Sequence, residues 1–348
     1  MERYIAIDNV CAWPNLTKMP DGEVVATIFN QPCHGRWEGD VECWASKDGR
    51  FWRKRGVPAP HEPGTVRMNV AAGLAANGDL VVIASGWHGG QMREGILQAW
   101  VCRSTDSGRT WQRAETFPVP EGMGHVVPFG DIIVLPDGAL GVCGYGSFAL
   151  GQGPHASFFY KSRDDGRTWA VEGRIAEGVN ETTPLCPDGK RILAAARSQA
   201  LSQYVSDDLG ATWRLDQQLT GIGCFPGQMI KLSDGRCLLV HGIRTRGFYG
   251  VGALISPDSG ARWEAAMTLV DLPEAVDGGY PASVELDDGQ ILTAYYASGV
   301  PYHQRYHMGV VLWSIEEQAR ANRPPENNPI HGGAFKRRET GPKKGEDQ

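Results

Sequence analysis

Four times along this chain of 348 residues the pattern Ser-x-Asp-x-Gly-x-x-Trp recurs, at Ser104 to Trp111, Ser162 to Trp169, Ser206 to Trp213 and Ser256 to Trp263. Ser46 to Trp52 is a fifth copy with one residue missing. Such a box is a turn that locks itself. Ser and Asp side chains fold back onto nearby amides, Gly takes the strained position, and the Trp is large enough to pin the turn to a sheet. The box aspartates are therefore structural. Interleaved with the boxes are six turn pairs, Asp21-Gly22, Asn77-Gly78, Asp137-Gly138, Asp188-Gly189, Asp234-Gly235 and Asp288-Gly289, each followed by a strand. Pairs of this kind mark β-hairpins, since both positions tolerate positive φ. The aspartates Asp48, Asp106, Asp164, Asp208 and Asp258 stand 58, 58, 44 and 50 residues apart. That is the length of a four-stranded antiparallel sheet with its turns, and its repetition predicts an all-β, six-bladed β-propeller.

Six hairpins against five boxes leave one sheet a strand short. After the sixth hairpin, Gly309 to Trp313 reads as a third strand, and Ser314-Ile315-Glu316-Glu317 opens a short helix as a capping box. Arg3 to Ile7 is a strand without a sheet of its own, so it is expected to fill the outer place of the last blade and close the ring. Residues 1–321 then form one propeller, and 322–348, rich in Pro, Asn, Lys, Glu and Gly, a disordered tail. With 45 Gly, 22 Pro and no basic stripe at a net charge of −6, the composition suits a turn-rich β protein and argues against nucleic acid as a partner. No apolar run approaches the ~20 residues of a membrane-spanning helix. The start at Met1 lacks the features of a secretory signal, and the eight cysteines show no Cys-x-x-Cys spacing. Both point to a cytoplasmic protein with reduced, buried thiols.

Boxes of this type on such a propeller resemble the Asp boxes of the sialidase (neuraminidase) superfamily, and the resemblance covers nearly the whole chain. It implies a site at the central mouth, at the starts of the first strands and in the loops between second and third strands. Asn180-Glu181-Thr182-Thr183-Pro184, with Arg197 after the turn, is similar to the sialidase segment carrying a glutamate and an arginine. Gly279-Tyr280-Pro281 is similar to the segment carrying the nucleophilic tyrosine. By that likeness Tyr280 is the nucleophile, Glu181 its base and Arg197 a fork for a sugar carboxylate, with Arg244 or Arg246 as a second fork. The family's first-strand Arg-Ile-Pro reads Ala12-Trp13-Pro14 here, so Arg36 or Arg67 stands as its replacement. Asp40, or Glu38 beside it, stands as the acid/base. The expected activity is exo-hydrolysis of an acidic sugar, without cofactor or metal; oligomeric state is left open.

Other readings stay open on the residues. His34, His88 and His125 each fall where a mouth loop or strand start is expected, and with Tyr145 they suit β-elimination at a uronic acid, the chemistry of a lyase. Trp13, Trp37 and Trp87 offer ring faces for a sugar or packing between blades. His303-x-x-x-His307 would bind a metal only on a helix, and none is expected there. A non-catalytic sugar-binding propeller is the third possibility.

Overall fold

A computed structural model describes residues 1–89, 95–149, 152–264, 267–273 and 276–321. The expected tail from residue 322 lies outside them. Among the described residues the fold is all-β, with one short helix. The first sheet orders β2 (Cys11–Lys18), β3 (Val24–Phe29), β4 (Val41–Ser46) and β5 (Arg53–Ala59). Next come β6 (Thr65–Leu74), β7 (Leu80–His88), β8 (Trp100–Ser104) and β9 (Gln112–Ala114), then β10 (Val127–Val134), β11 (Leu140–Ala149), β12 (Gln152–Ser162) and β13 (Ala170–Glu177). These two quartets form one eight-stranded sheet, because Gly130 and Asp131 of β10 pair in parallel with Ala71 and Ala72 of β6. β14 (Thr182–Leu185) to β17 (Arg214–Gln218), with β15 (Ile192–Arg197) and β16 (Leu201–Ser206) between, make the next sheet. β18 (Gly227–Lys231), β19 (Cys237–Thr245), β20 (Phe248–Ser256) and β21 (Met267–Leu272) follow.

In the last sheet, β22 (Gly278–Glu285), β23 (Ile291–Ala297) and β24 (His307–Trp313) are joined by β1 (Glu2–Asp8). β1 runs antiparallel to β24, from Glu2 opposite Leu312 to Asp8 opposite His307. The helix α1 (Ile315–Ala321) starts as expected, with the Glu317 amide donating to Ser314 Oγ. The opening strands β2, β6, β10, β14, β18 and β22 lie side by side in that order, and β22 lies against β2. Apolar clusters fill the spaces between neighbouring sheets; Ile28 of β3, for example, packs with Leu292 of β23 and Leu312 of β24.

The boxes fold as their chemistry dictates. In the box at Ser206, the serine hydroxyl donates to Asp208 Oδ1 at 2.8 Å and accepts from the Gly210 amide at 2.8 Å. Asp208 also takes the Thr212 amide and hydroxyl, and Trp213 Nε1 donates to the Gly210 carbonyl. Gly210 has φ +101°, and a Cβ there would sit 2.2 Å from Phe159 of the neighbouring quartet. Each box thus joins two sheets, which is why glycine is required at its centre.

The hairpins differ in detail from expectation. At Met19, Ala75, Leu135, Leu232 and Leu286 the backbone closes a type I turn and a bulge in which only the glycine has positive φ. The Asp or Asn before it keeps negative φ and bonds the amide two residues on, as Asp21 does with Glu23.

Candidate active site at the mouth of the inner strands

The hairpin of β14 and β15 makes the spacing of Glu181 and Arg197 a cross-strand pair. Arg197 donates its amide to the Glu181 carbonyl, and the two side chains leave the same face. Arg197 Nη1 donates to Glu181 Oε2. Tyr280 reaches this pair from β22. Its φ is +50°, after Gly279 at +95°, and the pairing of β22 with β23 shifts register between Gly279 and Ala282. A bulge of this kind re-aims a side chain, and the unfavourable backbone persists because the surroundings fix it.

The Tyr280 hydroxyl donates to Glu181 Oε1 at 2.7 Å and accepts from Arg197 Nη1 at 2.9 Å. Tyr280 and Glu181 are both 6% exposed. Burial and the Glu181 charge push the Tyr280 phenol well above its usual range, while Arg197 and Arg244 pull the other way. A phenol so placed loses its proton only when Glu181 takes it in the same step.

Arg244 lies with its guanidinium carbon 4.9 Å from the centre of the Tyr280 ring and donates to the Gly278 carbonyl. Phe225 is stacked under both Arg197 and Arg244. On the other side the Trp13 ring lies 5.2 Å from Tyr280 and 5.5 Å, edge-on, from His34. His34 Nδ1 is 3.0 Å from Asp277 Oδ2, and Asp277 also accepts from the hydroxyls of Tyr296 and Tyr306 at 2.7 and 2.8 Å. Burial alone would raise the Asp277 carboxyl. The bond and charge of His34, with the two phenols, outweigh it and hold the group at about 2. The sequence singled out none of Asp277, Tyr296, Tyr306 or Phe225. A carboxylate three residues before Tyr280 was the one available signal.

Of the expected site residues, Tyr280, Glu181, Arg197, Arg244, Trp13 and His34 are brought together. The others are not. Arg67 is 2% exposed, forked onto Glu62, bonded to the Gln98 carbonyl and stacked 3.7 Å from Trp100. It is a structural cation and no replacement for a first-strand arginine. Asp40 is turned into a network of its own, accepting the His61 amide, His61 Nδ1 at 2.6 Å and Asn30 Nδ2. Arg246 is exposed on the turn between β19 and β20, and Arg36 is exposed with its charge felt at Tyr306.

The three histidines sit in separate settings. His34 pairs with Asp277, His88 is exposed at the end of β7, and His125 is buried near His155. Trp87 is core, donating to the Gly35 carbonyl, and Trp37 is 57% exposed. The expectation that His303 and His307 need a helix to meet is corrected: their rings lie 5.1 Å apart without one, with Asp8 on His303. No group of three or more metal-ligating side chains occurs among the described residues, and no helix among them is long and apolar enough to cross a membrane.

Beneath Tyr280 and Trp13 a cavity narrows onto Asp131. Asn15 of β2 and Gln228 of β18 donate to its two oxygens at 2.9 and 2.8 Å. Burial raises the Asp131 carboxyl to about 7 against those two bonds. The raised value fixes the sign of a pH effect. The stability that goes with the protonated form is fully present below about 4, the unfolded value, and is lost as pH rises through about 7, of order 4 kcal/mol in all. Denaturation midpoints of the wild type therefore fall from pH 5 to pH 8, and those of Asp131→Asn stay nearly level; equal slopes would contradict this.

The chain matches the BNR repeat-like domain over residues 22–292. It is 27% identical over 238 residues to a sialidase from Micromonospora viridifaciens, covering 58% of this chain and 36% of that protein. Thus the chain spans about a third of that relative's length. Among solved structures it resembles a protein of unknown function from Dyadobacter fermentans, with TM-score 0.79 and 20% identity over 90% of this chain and 98% of that one. A Hadza microbial sialidase gives TM-score 0.70 and 17% identity, covering 91% and 66%. Trypanosoma rangeli sialidase with 2,3-difluorosialic acid, a covalent intermediate, gives 0.68 and 14%, covering 91% and 55%. At these identities the structures share the fold.

Proposed function

The chain belongs to the BNR repeat-like family of the sialidase superfamily, and from that premise we propose that it is an exo-acting glycoside hydrolase of the sialidase type, taking an acidic sugar. The architecture that goes with this reading is a six-bladed propeller formed by residues 1–321 and closed by β1. The pairing of β1 with β24 and the side-by-side opening strands support it.

The observation that carries the reading is the Tyr280 hydroxyl, held between Glu181 Oε1 and Arg197 Nη1. Tyr280 attacks the anomeric carbon as Glu181 takes its proton, and Arg197, bonded to both groups, stabilises the negative charge as it passes from the carboxylate to the phenol oxygen. A neutral phenol approaches a carboxylate-bearing carbon without the repulsion an anionic nucleophile would meet. Two displacements then give retention. Arg197 is largely occupied by Glu181 and Tyr280. Arg244, which has no carboxylate partner among the described residues, remains for the sugar's own carboxylate. Trp13 offers the apolar face.

Elimination, with His or Tyr as base and acid, is the weaker reading, since among the described residues His88 and His125 lie apart from His34 and it leaves the cluster of Tyr280, Glu181 and Arg197 without a role. A panel of aryl glycosides and uronate oligosaccharides tests the choice. Aglycone release is expected from α-ketosides of a carboxylated sugar such as N-acetylneuraminic acid, with neutral glycosides at least about a hundredfold slower. Release from no acidic glycoside, or a new ultraviolet-absorbing unsaturated product, overturns the proposal.

A further inference from the structure

Hydrolysis through Tyr280 requires a second proton-transfer group that protonates the leaving oxygen and later deprotonates water, and Glu181 is already engaged with the phenol. Asp40, the residue the sequence suggests, has one oxygen under two donors from His61 and the other under Asn30. We infer that His34, oriented by Asp277, is this acid/base; the assignment rests on the hydrolase reading above.

His34 stands on the segment between β3 and β4, edge-on to the Trp13 ring that lies against Tyr280. The arrangement sets His34 and the nucleophile against one and the same aromatic ring. Nδ1 faces Asp277, which fixes the tautomer, and Nε2 has no hydrogen-bond partner among the described residues. The side chain is 24% exposed, open enough to meet a ligand.

Asp277 is built for this purpose rather than for solvent. It takes His34, Tyr296 and Tyr306 at once and stays ionised over the working pH range. The other titratable groups around the pair are Cys11, on which Asp277 and Cys33 bear, and Arg36, whose charge is felt at Tyr306. The Cys11 thiol is pushed far up by burial, so it stays neutral. Tyr296 and Tyr306 are raised by burial and by Asp277 and stay protonated. Among these groups His34 is the one set against the Trp13 ring with a ring nitrogen unbonded within the described residues.

The steps balance. In the first, the Tyr280 oxygen bonds to the anomeric carbon, its proton passes to Glu181, the glycosidic C–O bond breaks, and the His34 Nε2 proton goes to the departing oxygen. In the second, neutral His34 takes a proton from water, the resulting hydroxide bonds to the anomeric carbon, and the Tyr280 oxygen leaves, recovering its proton from Glu181. His34 is protonated again at the end.

The test compares α-ketosides of N-acetylneuraminic acid carrying a 4-nitrophenyl or a methyl leaving group, in the wild type, Tyr280→Phe, His34→Gln and Asp277→Asn. An aryl oxide leaves without protonation and an alkoxide does not. His34→Gln is expected to lower kcat/KM about 10²- to 10⁴-fold for the methyl ketoside and tenfold or less for the aryl one. Azide, which attacks without a base, is expected to raise its kcat on the aryl ketoside and give a glycosyl azide. Asp277→Asn is expected to lower kcat/KM more for the methyl ketoside than for the aryl one, because the carboxylate that orients the His34 ring is gone. Equal losses on both leaving groups, with no azide product, overturn the assignment to His34 and leave Tyr280 in place. Absence of release by the wild type, or an unaffected Tyr280→Phe, overturns the hydrolase reading and this assignment with it.

Discussion

Replacing Tyr280 by phenylalanine is expected to lower kcat on a cleaved acidic glycoside at least about a thousandfold, some 4 kcal/mol of transition-state stabilisation, with little effect on folding. The two sides of that expectation have different origins. The ring stays where it is, against Trp13, Phe129 and Tyr296, so the packing that holds β22 in its bulged conformation survives. Losing the hydroxyl removes two hydrogen bonds but leaves Glu181 and Arg197 paired with each other, so the stability change stays within about 1 kcal/mol. What disappears is, among the described residues, the one oxygen bonded at once to the buried carboxylate and the guanidinium. Steady-state kinetics beside chemical denaturation separates the effects. A variant with wild-type kcat would show that Tyr280 packs and does not react.

Arg197→Leu is expected to damage both properties. Glu181 is 6% exposed, and Arg197 is its sole ion-pair partner among the described residues. Removing one member of a buried pair strands the other's charge, at about 3–5 kcal/mol. Activity falls as well, because the phenolate oxygen loses its stabilising donor. The cause is separable by a double-mutant cycle. Arg197→Leu combined with Glu181→Gln removes the stranded charge, and the pair should recover at least about half of the stability lost by Arg197→Leu alone, without recovering activity. A cost below about 1 kcal/mol for the single variant would mean that the pair is solvent-like and does not tie β14 to β15.

The legible parts of this molecule were those fixed by local chemistry or by a single hairpin. Each box dictates its own turn within eight residues, so the sheets could be placed in the sequence. Glu181 and Arg197 were readable because one turn sets them opposite each other, and β1 was readable as a strand lacking a partner. The type of hairpin turn was not, since an Asp-Gly pair serves both a two-residue turn and the bulged turn found here.

Residues joined across sheets were hidden. Asp277 and His34 are 243 positions apart, and Asn15, Asp131 and Gln228 meet from three different sheets. Arg67 misled because a strand-start arginine reads alike whether it faces the mouth or, as here, folds onto Glu62 and Trp100. His88 and His125 misled in the same way. A strand start says how near a residue lies to the mouth, not which neighbours its side chain reaches.

The account's central claim is that Tyr280 forms the covalent bond. The direct measurement is mass spectrometry of the intact protein and its peptides after incubation with a 2,3-difluorinated carboxylated sugar, whose glycosyl-enzyme hydrolyses slowly. The account predicts one glycosyl adduct, on the peptide bearing Tyr280, and none in Tyr280→Phe. No adduct, or an adduct that persists in Tyr280→Phe, would contradict it.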